Sequence, residues 1–386
     1  MNTLEQSCHD ILYNNFSYTN ELVYMLYDTE SPLANILSSA FSQIIPANNR
    51  MREFKNPPQP LYRGGMVNPD NPHTKEQNRI VTSHNIEENK QVWLDHHLRP
   101  HVAIEITDPE IESIKNELIS LPKWSIVILI QSTNFRLSTF RIRLELFHLG
   151  IHVLEFNHLA YIPASEFDTF QNALIYRSDE YVRLEKSFSK KLRQASSTDI
   201  ISIDGAALTF GPVEPIRWNT GDYSGIENKW GTFPIGEVFT EAIDLASVSG
   251  RCLIEAFPNE DFSVNHCAPF ELIIENWRVL PSSEFPPAFQ KLYDWVIEYE
   301  WEVMVRELWF GLNPAITRKT PLTDINFHER KLWVHLSLGK KHGIYGKKLP
   351  KTDIQRFHID VFVALMDVSI DGESIFSEED VYKRQY

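Results

Sequence analysis

A histidine and an aspartate two positions apart, inside an apolar run near the C-terminal end, constrain this chain more than any other feature. His358 and Asp360 are flanked by Phe357, Ile359 and Val361. Because successive side chains alternate across a strand, this pattern predicts a β-strand with both polar groups on one face. Burying such groups without partners costs roughly a few kcal/mol each. A bound metal ion would offset that cost, and the alternative is that both residues simply face water.

A second apolar run upstream repeats the alternation. His335 and Ser337 stand between Val334, Leu336 and Leu338. A strand here would turn its apolar side chains to one face and the imidazole and hydroxyl to the other. The sequence therefore predicts two strands that each present a candidate metal ligand.

The composition is that of a globular protein and narrows the choice of partners. Of 386 residues, 42% are hydrophobic and 23% charged, and the net charge of −15 argues against nucleic acid, since phosphate binding needs a basic surface. No apolar run approaches the roughly 18–20 residues that span a membrane, and the N-terminus lacks a signal-peptide pattern. Three cysteines without metal-type spacing fit a reducing compartment. We therefore expect a cytoplasmic protein with no membrane segment.

The hydrophobic pattern changes near residue 195 and predicts two domains. Over residues 1–195, buried-strand runs alternate with helical patterns, which predicts an α/β domain with a mostly parallel sheet. Residues 196–380 show short alternating strands and one long helix over Pro287–Val305, the pattern of an α+β domain that would carry the metal site. Residues 381–386 break from this pattern and are interpreted as a cloning or sequencing scar, or a disordered tail. The strands predicted for the first domain are Leu22–Tyr27, Ser125–Ile130 and Ile151–Phe156.

Four segments in the C-terminal half carry a specific resemblance. In order they read Pro-x-Gly-Glu-Val-Phe-Thr at 234–240, Arg-Glu-Leu-x-x-Gly-x-Asn-Pro at 306–314, Val-His-Leu-Ser-Leu-Gly at 334–339 and His-x-Asp at 358–360. This ordered set resembles the thermophilic-type metallo-aminopeptidase family, that of aminopeptidases T and S. The similarity is best over about residues 200–376 and weaker over the N-terminal domain.

The resemblance implies a site for two divalent metal ions, with zinc, cobalt or manganese as candidates. It makes Glu307 and Asp360 bridging ligands, with Glu237 and His335 on one ion and His358 on the other. Three carboxylates and two neutral imidazoles nearly balance two divalent ions. Bound zinc lowers the pKa of its water to about 7, which supplies hydroxide to attack a peptide carbonyl. The resemblance also implies peptide substrates with a free N-terminus, and a homodimer.

Glu307 and Tyr345 are the residues to which the resemblance assigns catalytic roles. Family members have a tyrosine shortly after the segment that matches 334–339, where it would donate to the tetrahedral oxyanion. In this chain the spacing is longer and His342 lies nearer that place. A packing role for Tyr345 is therefore the alternative.

Tryptophans stand where the family usually has glycine. Trp309 lies two positions after Glu307, and Trp333 lies two positions before His335, so both indoles would point to the metal side of their strands. The chain has 15 glycines, which is few, and nine tryptophans, which is many. Some bacteria read the codon UGA as glycine, and we hypothesise that such codons are written as tryptophan here. Otherwise the indoles would fill the substrate space.

Two other functions remain open at this point. A mononuclear iron ring-cleaving dioxygenase of the same fold would need one histidine and the His-x-Asp pair, which leaves Glu237 and Glu307 without a role. A non-catalytic binding protein would have its cavity closed by Trp309 and Trp333. Metal content separates these functions, because they predict two ions, one iron or no metal per chain.

Overall fold

A parallel sheet forms the centre of the N-terminal half. The computed structural model describes residues 3–46, 49–55, 109–132, 146–223, 225–259, 263–340 and 357–375. The strands of this sheet are β1 Val23–Tyr27, β2 Arg50–Glu53, β3 Ile126–Ile130, β4 His152–Phe156 and β8 Trp230–Thr232. They lie in the order β2-β1-β3-β4-β8, and every pairing is parallel. Each residue of β3 and β4 is buried, as expected for strands covered on both faces.

The helix after β1 begins where local sequence signals place it. Ser31 caps the helix of residues 32–44 by accepting a hydrogen bond from the Ala34 backbone N–H at 3.1 Å, and Pro32 occupies its first turn. Ile11–Asn15 is a π-helical turn. The α-helices are α1 Thr3–Asp10, α2 Pro32–Ile44, α3 Pro109–Ile119, α4 Phe167–Ala173, α5 Ser178–Gln194, α6 Pro287–Glu300 and α7 Ile325–His328.

An antiparallel sheet of twelve strands dominates the C-terminal half. Its strands are β5 Thr198–Ser202, β6 Ala207–Phe210, β7 Arg217–Asn219, β9 Glu237–Thr240, β10 Ser249–Pro258, β11 Val264–Glu275, β12 Arg278–Val279, β13 Val305–Gly311, β14 Trp333–Leu338, β15 Ile359–Val363, β16 Leu365–Ile370 and β17 Glu373–Ser374. Ten of them follow the order β17-β16-β5-β6-β10-β15-β14-β13-β9-β7, and β11 and β12 branch from β10.

Register within this sheet brings distant segments side by side. Trp309 of β13 pairs with Phe239 of β9 and with His335 of β14. Ser337 of β14 pairs with Asp360 of β15. Since paired residues share a face, four strands that are separated in the sequence present side chains to one place.

The predicted fold class is confirmed, with one helix boundary corrected. The parallel sheet and the antiparallel sheet match the expected α/β and α+β patterns. The helix predicted over Pro287–Val305 ends at Glu300, because Trp301 takes a left-handed conformation and β13 begins at Val305. The domain boundary near residue 195 stays a prediction, and β8 joins the first sheet from beyond it. In the described part of the chain, no helix combines the length and apolar character needed to cross a membrane.

Candidate metal centre

One face of the strands β9, β13, β14 and β15 gathers the ligands predicted from the sequence. Four of the five lie in these strands and are buried: Glu237, Glu307, His335 and Asp360. His358 immediately precedes β15, and its side chain is 28% exposed. Solvent therefore reaches the cluster on the side of His358.

Two imidazoles and one carboxylate form the tightest part of this cluster. Asp360 Oδ1 lies 3.3 Å from His358 Nε2 and 4.0 Å from His335 Nε2. His335 is 1% exposed, and its Nε2 atom has no hydrogen-bond partner among the described residues. A buried imidazole nitrogen without a hydrogen-bond partner carries a desolvation cost, which a bound cation would offset.

Glu307 lies in the middle of the face and contacts three side chains. Its Oε2 atom accepts hydrogen bonds from the Trp309 indole N–H at 3.2 Å and from the Ser337 hydroxyl at 3.3 Å. His358 Nδ1 lies 3.7 Å from the same oxygen. The carboxylate is fully buried, so these contacts offset part of its desolvation cost.

A buried arginine holds the fifth ligand, Glu237. Arg330 Nη2 lies 3.0 Å from Glu237 Oε1, and Asn219 donates to the same oxygen at 3.4 Å. Arg330 Nη1 contacts Glu329 and donates to the Asn326 carbonyl at 2.7 Å. Glu237 Oε2 is buried without a hydrogen-bond partner in the described residues. One carboxylate oxygen is therefore bound by the guanidinium, and the other is available to a metal ion.

Sequence reasoning missed Glu329 and Arg330. They lie in the link between α7 and β14, where no strand or helix periodicity marks a functional side chain. The available signal was a run of charged residues, Glu329-Arg330-Lys331, directly before a fully buried strand. Charges in such a place need partners.

Burial and neighbouring charges shift the pKa values of several groups in this cluster. Burial lowers the pKa of His335 to about 3, so this imidazole is neutral. Burial also disfavours charge on His358, but the Asp360 carboxylate outweighs it and raises the His358 pKa to about 9. Burial likewise opposes ionisation of Asp360, and His358 reverses this to lower the Asp360 pKa to about 2. Burial and the neighbouring Asp360 raise the pKa of Glu329 well above its usual value.

Both tryptophans lie on the predicted side of their strands. The Trp309 indole stacks on the Phe239 ring with centroids 4.0 Å apart and on the His335 ring at 5.4 Å. Trp333 donates its indole N–H to the Val363 carbonyl at 2.6 Å and packs under the Arg318 guanidinium. Trp309 therefore fills space beside the ligands, whereas Trp333 lies farther along the face. Tyr345 falls outside the described residues, so its catalytic role stays a prediction.

The donor atoms are of the types that bind divalent metal ions, but the distances between them do not yet match a metal site. As the side chains stand, no group of three or more His, Cys, Asp or Glu within the described ranges is arranged to hold an ion. Two donors on one zinc ion lie roughly 3–3.6 Å apart. The 3.3 Å distance between His358 and Asp360 meets this, and the 4.0 Å distance from His335 has to shorten. A second ion at Glu237 would lie beside the Arg330 guanidinium, whose positive charge opposes it.

Comparison with solved structures shows the fold. AmpT from Thermus thermophilus, an aminopeptidase, matches with a TM-score of 0.58 and 12% identity over 97% of this chain and 96% of its own. The 2,5-dihydroxypyridine dioxygenase from Pseudomonas putida matches with a TM-score of 0.56 and 13% identity over 97% of this chain and 95% of its own. At these identities the likeness concerns the fold alone. No family model matches the chain, and no curated protein does.

Proposed function

We propose that the protein is a metal-dependent aminopeptidase that removes N-terminal residues from peptides. Its two divalent ions, zinc, cobalt or manganese, would be held by Glu237, Glu307, His335, His358 and Asp360. The observation that carries this proposal is the convergence of these five residues on one face of adjoining strands. Three of them are carboxylates, which is more than a single-iron site needs.

The carboxylates also suit the charge of the substrate. Besides Asp360, the site holds Glu237, Glu307 and, next to Arg330, Glu329. A peptide with a free N-terminus brings a cationic amine, and Glu329 is the carboxyl group here that is not assigned to a metal ion. The partly exposed His358 marks the side from which the peptide enters.

Bound divalent ions would supply a hydroxide at neutral pH and polarise the scissile carbonyl. The protein's own part is to orient these groups. Ser337 fixes the Glu307 carboxylate by a hydrogen bond, and the neutral His335 presents Nε2 toward Asp360. Hydrolysis adds water to the carbonyl carbon, breaks the C–N bond and leaves the proton on the departing amine.

A mononuclear iron ring-cleaving dioxygenase is the second candidate. His335, His358 and Asp360 form a two-histidine, one-carboxylate set, which is typical of non-haem iron oxygenases, while Arg330 occupies Glu237. The similar fold of a dihydroxypyridine dioxygenase supports this candidate. It predicts one iron per chain and oxygen-dependent cleavage of 2,5-dihydroxypyridine. The homodimer and the cytoplasmic location stay predictions under either function.

The substitution Glu307→Gln tests the peptidase function. It keeps the size of the side chain but removes a charge that two cations need, so hydrolysis of leucine-p-nitroanilide by the zinc-loaded protein should fall by at least about 100-fold. The assay uses the Trp309→Gly/Trp333→Gly background, in which no indole crowds the site. Glu271→Gln, on the partly exposed strand β11, is the matched control and should leave the rate unchanged. An unchanged rate with Glu307→Gln would reject the function.

A further inference from the structure

Three tryptophans adopt a backbone conformation that large side chains avoid. The φ angles of Trp124, Trp277 and Trp301 are 74°, 65° and 63°. In this left-handed region the Cβ atom crowds the following carbonyl oxygen, and only glycine enters it without cost. Three of the seven positive-φ residues other than glycine in the described part of the chain are tryptophans. The residue type most often found there after glycine is asparagine or aspartate, so this bias calls for an explanation.

Trp124 occupies the glycine position of a β-turn. The Ser125 backbone N–H donates to the Pro122 carbonyl at 3.1 Å, which closes a four-residue turn with Trp124 as its third residue. A positive φ at this third position defines a type II turn, which calls for glycine there.

Trp277 occupies the glycine position of a hairpin. Glu275 pairs with Arg278, so Asn276 and Trp277 form a two-residue loop between β11 and β12. Both have positive φ, 46° and 65°, as in a type I′ turn. The dipeptide that such turns prefer is Asn-Gly.

Trp301 occupies the glycine position at the end of α6. Its backbone N–H donates to the Ile297 carbonyl at 2.9 Å, and its left-handed conformation terminates the helix. Glycine is the usual residue at this position. The side chain is 66% exposed, so little packing compensates for the strained backbone.

We infer that the native chain carries glycine at these positions, because its host reads as glycine the codon that is written here as tryptophan. Three different turn motifs each place a tryptophan at the single position that requires glycine. The scarcity of glycine, 15 residues, beside nine tryptophans agrees with this inference.

Glycine and alanine variants at the three positions test the inference. Both changes remove the indole, but only glycine relieves the left-handed strain. The triple glycine variant should therefore melt about 5 °C or more above the triple alanine variant. Peptide mass spectrometry of protein from its natural host should find glycine at residues 124, 277 and 301. Equal melting temperatures, or tryptophan in those peptides, would overturn the inference.

A separate observation concerns the space that Trp309 fills. Phe239, Trp309, His335 and Phe362 lie on four adjacent strands and form one row of rings, with centroid distances of 4.0, 5.4 and 5.2 Å. Trp309 is 9% exposed, and its N–H donates to Glu307. The indole thus has an aromatic ring on each flat side and a carboxylate at its edge.

We propose that this space is the binding slot for a planar aromatic group of the substrate, open when residue 309 is glycine. Removing one side chain from a cross-strand row leaves a gap two strand spacings wide, about 9–10 Å, between Phe239 and His335. One ring fits between them at ordinary stacking distances. The slot adjoins Glu307 and His335, so a ring held there places its neighbouring atoms at the candidate metal centre. Resting on the proposed function, this predicts peptides with an aromatic N-terminal residue as substrates.

Binding of indole to the Trp309→Gly variant tests the slot without relying on catalysis. Calorimetry should show that this variant binds indole. The affinity for 1-methylindole should be at least about 10-fold lower, because its methyl group replaces the N–H that donates to Glu307. Trp295→Ala is the matched control, because Trp295 is buried in α6 away from the candidate ligands. The proposed slot would be contradicted if the Trp309→Gly variant bound indole no more tightly than the Trp295→Ala variant does. It would also be contradicted if indole and 1-methylindole bound equally well.

Relative turnover then connects the slot to the reaction. In the zinc-loaded Trp309→Gly/Trp333→Gly variant, kcat/KM for phenylalanine-p-nitroanilide should exceed that for leucine-p-nitroanilide by about 10-fold. The reason is that the phenyl ring stacks in the slot and buries more apolar surface than the leucine side chain. Indole binding without hydrolysis of either anilide would contradict the peptidase function and leave the slot standing. Hydrolysis that favours leucine, with no indole binding, would contradict the slot alone.

Discussion

Arg330 contacts the Glu237 carboxylate at 3.0 Å, on the residue that a second metal ion would have to share. Both side chains are buried, and the guanidinium also contacts Glu329. A buried guanidinium between two carboxylates stabilises the metal-free site. A metal ion at Glu237 would therefore compete electrostatically with this guanidinium.

The substitution Arg330→Met tests this competition. Without the guanidinium, Glu237 is a buried charge without its cation, so the metal-free protein should lose about 3–5 kcal/mol of unfolding free energy. Saturating zinc should recover much of this loss, because the ion then pairs with Glu237. Urea unfolding with chelator and with zinc measures both values. An equal loss under both conditions would show that Arg330 and the metal do not compete.

Opening the substrate space should increase activity. The Trp309 indole lies against His335 and Glu307 and contributes a surface on the order of 200 Å². We expect the chain with both tryptophans to hydrolyse amino-acid anilides weakly, and the Trp309→Gly/Trp333→Gly variant to do so strongly at equal metal loading. If the tryptophan form is already fully active, these indoles are walls of the pocket.

The stability of the protein should fall below neutral pH because of His328. This imidazole is buried, and burial together with Lys331 lowers its pKa well below 6.5. The unfolded state therefore binds the proton first as the pH falls, and stability decreases by up to about 1.4 kcal/mol per pH unit below 6.5. Its Nδ1 atom lies 3.1 Å from the Leu322 carbonyl, a contact that the amide of an asparagine retains.

The variant His328→Asn isolates this effect. Unfolding free energies from pH 5 to pH 8 with chelator should show a shallower pH dependence for His328→Asn than for the parent. The site histidines contribute equally to both proteins. Parallel pH profiles would mean that His328 has the same pKa in the folded and the unfolded states, which would contradict the prediction.

Local sequence patterns predicted individual strands, but they did not predict every helix boundary. The alternation around His335 and the continuous apolar run at residues 126–130 each mark a strand, and both strands form. The helix that begins at Pro287 was predicted too long, because a tryptophan gives no sign that it will end a helix in the left-handed conformation.

Contacts between distant segments account for what the sequence did not predict. Arg330 meets Glu237 only because the fold brings the link before β14 within side-chain reach of the start of β9, and no periodicity encodes such a contact. Likewise, the position of Trp309 between Phe239 and His335 depends on strand register, which the sequence does not specify over such separations. The structure brings the five predicted residues to one face, and their role as metal ligands stays a prediction.

The number of metal ions per chain tests the central claim most directly. The protein is dialysed against zinc or cobalt, freed of unbound metal and analysed by elemental mass spectrometry beside an independent protein determination. A site built from Glu237, Glu307, His335, His358 and Asp360 should retain about two divalent ions per chain. One ion or none, with all five residues intact, would contradict the dinuclear aminopeptidase, and a single retained iron would favour the dioxygenase.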